Sequence, residues 1–208
     1  TFVSNHDAGR FATFVRRAFP QAGEDEVLRR VMLANAMLLT LRGVPTIYYG
    51  DEQGCVGDGG DQDAREDMFG SQVASYNDNR LLGSDATTAT PRFDPTHPLY
   101  REIAALARLR TGHAALRRGS ETIRARGDEP GLFAVSRFDP DTGAEYLIAF
   151  NTSTAPIRAQ VQVDVASTAF DTLAGAACSP RASAPGSLAL DLPPLGYSVC
   201  AVRSANPQ

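Results

Sequence analysis

The chain has 208 residues, 43% of them hydrophobic, with 24 acidic against 20 basic residues and a net charge of −4. That is enough apolar material for one or two domains with cores of their own, and so small a charge argues against a general affinity for nucleic acid. No apolar run approaches the roughly 18 residues of a membrane-spanning helix, and the basic residues, all arginine, are scattered along the chain.

The opening stretch, Thr1-Phe2-Val3-Ser4-Asn5-His6-Asp7, is a short apolar run ending in residues that donate, accept or carry charge. On an α/β barrel such residues at the C-terminal ends of strands carry the chemistry, because the loops there form the active-site face. The chain starts on threonine within this pattern and is expected to be part of a longer protein, so its native N-terminus and any address are not visible. Glu24 to Arg42 predicts a helix: Glu24, Asp25 and Glu26 suit the first turn, Arg42 and Gly43 suit the exit, and apolar residues run nearly all round it. Val44 to Tyr49 reads as a short parallel strand buried on both faces. Asp51 and Glu52 follow it, and strand, helix, strand suggests a βαβ unit.

From Cys55 to about Pro95 the chain is irregular, a length of loop that is usually functional. Leu99 to Leu116 returns to helical spacing behind Pro98, and Arg108, Arg110, Arg117 and Arg118 read as a solvated helix end. Beyond Gly119 the pattern changes to strand-like runs at Leu132–Phe138, Tyr146–Phe150, Ile157–Val165, Leu188–Leu192 and Tyr197–Val202, separated by turn sequences. Strands without intervening helices indicate an antiparallel β-sandwich. The expected fold is therefore α/β plus all-β, with the first domain over 1–116 and the sandwich over 120–208. Cys55, Cys178 and Cys200 lack metal-type spacing. They read as three free thiols, or as a Cys178–Cys200 bridge with Cys55 left over.

Taken in order, these segments resemble the α-amylase family, glycoside hydrolase family 13. Phe2-Val3-Ser4-Asn5-His6-Asp7 resembles that family's motif at the end of the seventh barrel strand. Gly43-Val44-Pro45-Thr46-Ile47-Tyr48-Tyr49-Gly50-Asp51-Glu52-Gln53-Gly54 resembles its eighth-strand motif. Pro98 to Gly119 resembles the closing helix and its exit, and Leu192-Pro193-Pro194-Leu195-Gly196 the last turn of the C-terminal sandwich. The resemblance implies the last two β/α units of a (β/α)8 barrel followed by a sandwich, in an enzyme acting on α-glucans or α-glucosides with retention. Such enzymes use a nucleophile and an acid/base about 5–5.5 Å apart and a third carboxylate that stabilises the transition state. Carried over by motif, Asp7 takes the third role and His6 binds the same sugar, with Asn5 in the same motif. The nucleophile and acid/base belong to earlier strands, so this chain alone is expected to be inactive and, with barrel edges bare, to self-associate.

Further candidates surround that pair. Asp51 and Glu52 either order the loop after the eighth strand or line the cleft. Tyr49 is a second-layer residue or a platform for a sugar ring. Arg65 sits like a family arginine that reaches toward the cleft, or makes a surface salt bridge. The loop bearing Asp58, Asp61 and Asp63 leaves calcium possible, although it lacks an EF-hand order; no other metal or cofactor is expected. His97 and His113 read as structural. An amylase-like protein without catalytic carboxylates, serving as a transporter partner subunit or a carbohydrate-binding protein, is the alternative function, and the chain's lack of tryptophan weighs against the binding module. Partners other than the saccharide, whether nucleic acid or membrane, are not expected; a secreted or periplasmic location is slightly favoured over a cytoplasmic one.

Overall fold

A computed structural model of the chain describes residues 1–203; the last five residues assigned to the expected second domain, 204–208, lie outside them. The chain divides into two compact units, one made of Thr1–Leu39 with Gly43–Ala105, the other of Thr40–Arg42 with the chain from Leu106 onward.

The first unit is helices and irregular loops. Helix α1 (Phe11–Ala18) was not anticipated, whereas α2 (Glu24–Thr40) forms where the sequence places it and carries Glu24, Asp25 and Glu26 in its first turn. Ala12 and Val15 of α1 pack with Val27 and Val31 of α2 and with Val56, Leu82 and Leu99 in one buried cluster. A single helical turn, α3 (Ala74–Asn77), interrupts the long loop. Helix α4 (Pro98–Gly112) begins at its proline as expected, but the run predicted to reach Leu116 is broken at His113, which is extended, before a short α5 (Ala114–Arg118). Gly112 costs about 1 kcal/mol relative to alanine in a helix interior, which makes it a natural stopping point.

The strand expected at Val44–Tyr49 is not formed. That segment is extended but irregular, with Val44 80% exposed. Between it and the opening motif run two backbone hydrogen bonds, from Thr46 N–H to the Thr1 carbonyl and from the Thr1 ammonium to the Val44 carbonyl, each 2.8 Å. A parallel strand buried on both faces needs a ladder on each side, and two bonds do not make one.

The second unit is all antiparallel pairing. Its strands are β1 (Ser120–Ala125), β2 (Leu132–Phe138), β3 (Glu145–Asn151), β4 (Ile157–Gln162), β5 (Phe170–Gly175), β6 (Ser187–Leu192) and β7 (Tyr197–Val202). They form a five-stranded sheet of order β1-β2-β3-β7-β5 and a two-stranded sheet of β4 and β6. In the larger sheet Val135 faces Ile148 across the β2–β3 pair, and Leu147 faces Cys200 across β3–β7. Leu147, Ala149, Phe170 and Cys200 of that sheet and Val161, Leu188, Leu190 and Leu192 of the other share one apolar core. Arg110, expected in solvent, is buried and donates to the Leu41 carbonyl at 3.2 Å. Its neighbour Arg117 does the same for the Arg110 carbonyl at 3.0 Å, so these arginines satisfy the open carbonyls of helix ends.

Of the two readings of the cysteines, the structure contains the bridge: Cys178 and Cys200 are disulfide-bonded with Cα atoms 5.8 Å apart, and Cys55 is free and buried. Among the described residues no helix is long and apolar enough to cross a membrane.

Candidate functional site

The site starts from a tight turn. Asn5 and Gly9 pair across it, Gly9 N–H donating to the Asn5 carbonyl at 3.1 Å and Asn5 N–H to the Gly9 carbonyl at 3.3 Å. The Asn5 side-chain oxygen accepts from Asp7 N–H at 3.0 Å and from Ala8 N–H, the short local bond at which asparagine excels. Gly9 closes the turn at φ +105°, a conformation that side-chain-bearing residues rarely adopt. Asn5 is thus the buttress of the turn, while His6 and Asp7 project from it. His6 Nε2 lies 3.4 Å from Asp7 Oδ2, with their side chains 60% and 72% exposed. Two adjacent groups that donate and accept, held open to solvent on a rigid turn, are suited to gripping vicinal hydroxyls.

Behind the turn the chain buries charge. Arg10, fully enclosed, donates from Nη1 to the Tyr49 carbonyl at 2.6 Å and to Asp51 Oδ1 at 2.9 Å, and from Nε to Glu66 Oε2 at 3.2 Å. Its guanidinium lies 4.3 Å from the centre of the Tyr48 ring and 5.4 Å from that of Tyr49, within the range of a cation–π contact. Glu66 is also fully enclosed and accepts from Val56 N–H through its other oxygen. Burial pushes the Asp51 carboxyl up to about 6 despite the opposing pull of Arg10 and of the Ser4 hydroxyl, and pushes Glu66 up as well. Burial likewise raises the Cys55 thiol to about 12, with Glu66 adding to it, so Cys55 is an inert thiol here.

The remaining candidates separate. Asp51 is buried and bound to Arg10, a loop-ordering position rather than one facing solvent. Glu52 folds back on the chain, its carboxylate accepting from Gly50 N–H at 2.9 Å. Gly50 itself sits at φ +87°, and a Cβ there would lie 2.8 Å from the Cys55 sulfur. Tyr49 stays 44% exposed, set edge-on to Tyr48 at 4.6 Å, and the His6 and Tyr48 rings are 6.4 Å apart. Burial, with Tyr48 adding to it, raises the Tyr49 hydroxyl to about 12. Arg65 points outward and pairs with Asp61 at 3.5 Å on the surface. In the acidic loop Asp58 accepts from Asn79 at 2.9 Å, and among the described residues no group of three or more His, Cys, Asp or Glu side chains is gathered to hold a metal ion. His97 is buried, its Nε2 3.0 Å from the Leu82 carbonyl, and burial lowers its affinity for a proton. The residues that sequence reasoning passed over are Arg10 and Glu66; it selected Arg65, one position short of the enclosed carboxylate.

The family model for the alpha amylase catalytic domain matches residues 1–132. An alpha-amylase of Streptomyces lividans is 42% identical over 93% of this chain, and a cyclomaltodextrin glucanotransferase of Paenibacillus macerans is 37% identical over 60% of it. The chain spans about a fifth of the length of the first and 13% of the second. Among solved structures, an Anoxybacillus alpha-amylase superposes with a TM-score of 0.70 at 22% identity, covering 99% of this chain and 38% of that one. A gamma-cyclodextrin glucanotransferase from an alkalophilic Bacillus clarkii superposes with a TM-score of 0.67 at 24% identity, covering 100% of this chain and 26% of that one. At these identities the solved structures speak to the fold.

Proposed function

From the premise that this chain belongs to the alpha-amylase catalytic-domain family, we propose that it is the closing part of a retaining glycosidase or transglycosylase acting on an α-glucan or α-glucoside. Residues 1–116 are read as the last two β/α units of the barrel and 120–208 as the sandwich behind it. Asp7 is the carboxylate that stabilises the transition state, and His6 holds the same sugar. The observation that carries this reading is the Asn5–Gly9 turn, which presents His6 and Asp7 side by side in solvent while their surroundings are tied down. A carboxylate accepting from ring hydroxyls strengthens those bonds as positive charge grows on the ring, and that gain falls on the transition state rather than on the bound substrate. Tyr49, exposed beside Tyr48, supplies a flat apolar face at the same rim. Asp51 and Glu52 order the loop beneath it, and of the two readings of Arg65 its pairing with Asp61 favours the surface salt bridge. The Cys178–Cys200 bridge supports an oxidising compartment, secreted or periplasmic.

The chain carries only one of the three carboxylates the mechanism requires, so alone it should release no reducing sugar from starch, maltose or aryl α-glucosides. Exchanging it for the matching segment of the Streptomyces alpha-amylase should give an active chimera. Asp7→Asn in that chimera should lower kcat by two to three orders of magnitude, the roughly 3–4 kcal/mol that one preorganised charge partner is worth. A chimera that folds and keeps its kcat with Asn at position 7 overturns the assignment.

A further inference from the structure

The most enclosed cation of the first unit, Arg10, is given none of the sugar contacts assigned above, yet it is bonded to the Tyr49 carbonyl and to Asp51 beneath them. Arg10 follows directly on the Asn5–Gly9 turn, so whatever fixes Arg10 fixes the base of that turn. Its guanidinium joins three stretches of chain: the Tyr49 carbonyl and Asp51 carboxylate, the Glu66 carboxylate, and the turn itself. It also underlies the Tyr48 ring, whose neighbour on the turn is His6. Two carboxylates share this one cation away from water. The other titratable groups that act on them are Glu52 and Cys55, neither of which brings a positive charge.

We infer that Arg10 is the positioning residue of the sugar site: by balancing the charges of Asp51 and Glu66 it seats the turn bearing His6 and Asp7 against the Tyr48–Asp51 segment. The inference rests on the sugar-site reading of His6 and Asp7 given above, and its test separates the two. Losing one partner of a buried ion pair leaves uncompensated charge, which is more damaging than losing the pair entirely. Removing Arg10 leaves Asp51 and Glu66 facing each other without a cation, and the Tyr49 carbonyl without its donor. Because burial already favours the protonated form of both acids, protons stand in for the missing guanidinium at low pH. Side-chain packing alone has no such dependence.

The experiment uses the 208-residue chain with Arg10→Met, with Arg10→Lys, and with Arg10→Met combined with Asp51→Asn and Glu66→Gln. Hydrogen-exchange protection of the Gly9 amide reports the turn, and that of the Val31 amide in α2 reports the unit's fold. Arg10→Met is expected to lose about tenfold or more of the Gly9 protection near pH 8, with Val31 unchanged, and to recover near pH 5. The triple variant recovers at both pH values, and Arg10→Lys falls between Arg10→Met and the unaltered chain. Gly9 protection that is unchanged in Arg10→Met, lost equally at both pH values and in the triple variant, or lost together with that of Val31 overturns the proposal. Maltotriose supplies the second arm, read by the imidazole nitrogen resonances of His6. It should shift them in the unaltered chain, and in Arg10→Met only near pH 5. If maltotriose leaves them unmoved in the unaltered chain while the Gly9 pattern holds, the sugar-site reading falls and the seating of the turn by Arg10 stands.

Discussion

A carboxylate beside an arginine ordinarily gives up its proton more readily; Asp51 does the reverse, because the cost of ionising it away from water exceeds what Arg10 returns. The consequence for stability has a definite sign. The folded chain holds the Asp51 proton up to about pH 6, whereas the unfolded chain releases it near 4. Between those values the folded state binds more protons, so this group's stabilisation is complete below about pH 4 and is lost as pH rises through 6. Glu66 acts in the same direction and His97 in the opposite one, since burial favours its neutral form. Asp51→Asn isolates the contribution of Asp51. Its urea midpoint for the first unit should move up relative to the unaltered chain above pH 7 and match it near pH 4. A variant less stable at pH 8 than at pH 4, by the same margin as the unaltered chain, would place the pH dependence elsewhere.

At the level of elements, what the sequence disclosed of the five-stranded sheet follows from where each strand lies in it. Strands β2, β3 and β7 are the interior of the five-stranded sheet, and their apolar runs announce them. The two strands that sequence reading missed, β1 and β5, are that sheet's two edges. Edges are blunted with charges and small residues to discourage further pairing, and Glu121, Arg124, Asp171 and Gly175 do so here, erasing the apolar signal. The same logic explains Val44–Tyr49, whose composition is that of a buried strand although it forms no ladder: pattern records what a segment is suited to pair with, not whether the partner is there. The bridge between Cys178, just past β5, and Cys200 in β7 was one of two readings, because spacing says nothing about which strands are neighbours. Thiol titration of the denatured, unreduced chain should find one free thiol, Cys55. Closing a loop with a sequence separation of 22 should make reduction cost the second unit about 3 kcal/mol, read as a lower denaturation midpoint; three free thiols would contradict the pairing.

For the molecule as a whole, large apolar side chains are left exposed in both units: Phe2, Val44, Phe69 and Phe93 in the first and Ile123 and Val165 in the second are each more than half exposed, and the Phe69 and Phe93 rings meet at 5.3 Å. Surfaces of that kind promote association, so light scattering should show the apparent mass rising with concentration and Phe2→Ser with Val44→Ser lowering it; a constant monomer mass would refute this. The exposed half of the candidate site, His6 and Asp7 on the turn that Asn5 buttresses, was legible in the sequence because these residues are consecutive. Of the buried half only Asp51 was, from its place directly after the Val44–Gly50 segment; Arg10 and Glu66 were not, because they meet it only through the fold. The second unit carries one further consequence of its cystine. The ring closed between residues 178 and 200 contains the whole of β6 and the turn from Pro180 to Gly186. A protease that cuts in that turn opens the backbone without releasing either piece: the nicked molecule travels as one band until a reductant parts it. The last two strands are thus stapled to the body by a route that hydrolysis of a single peptide bond cannot sever.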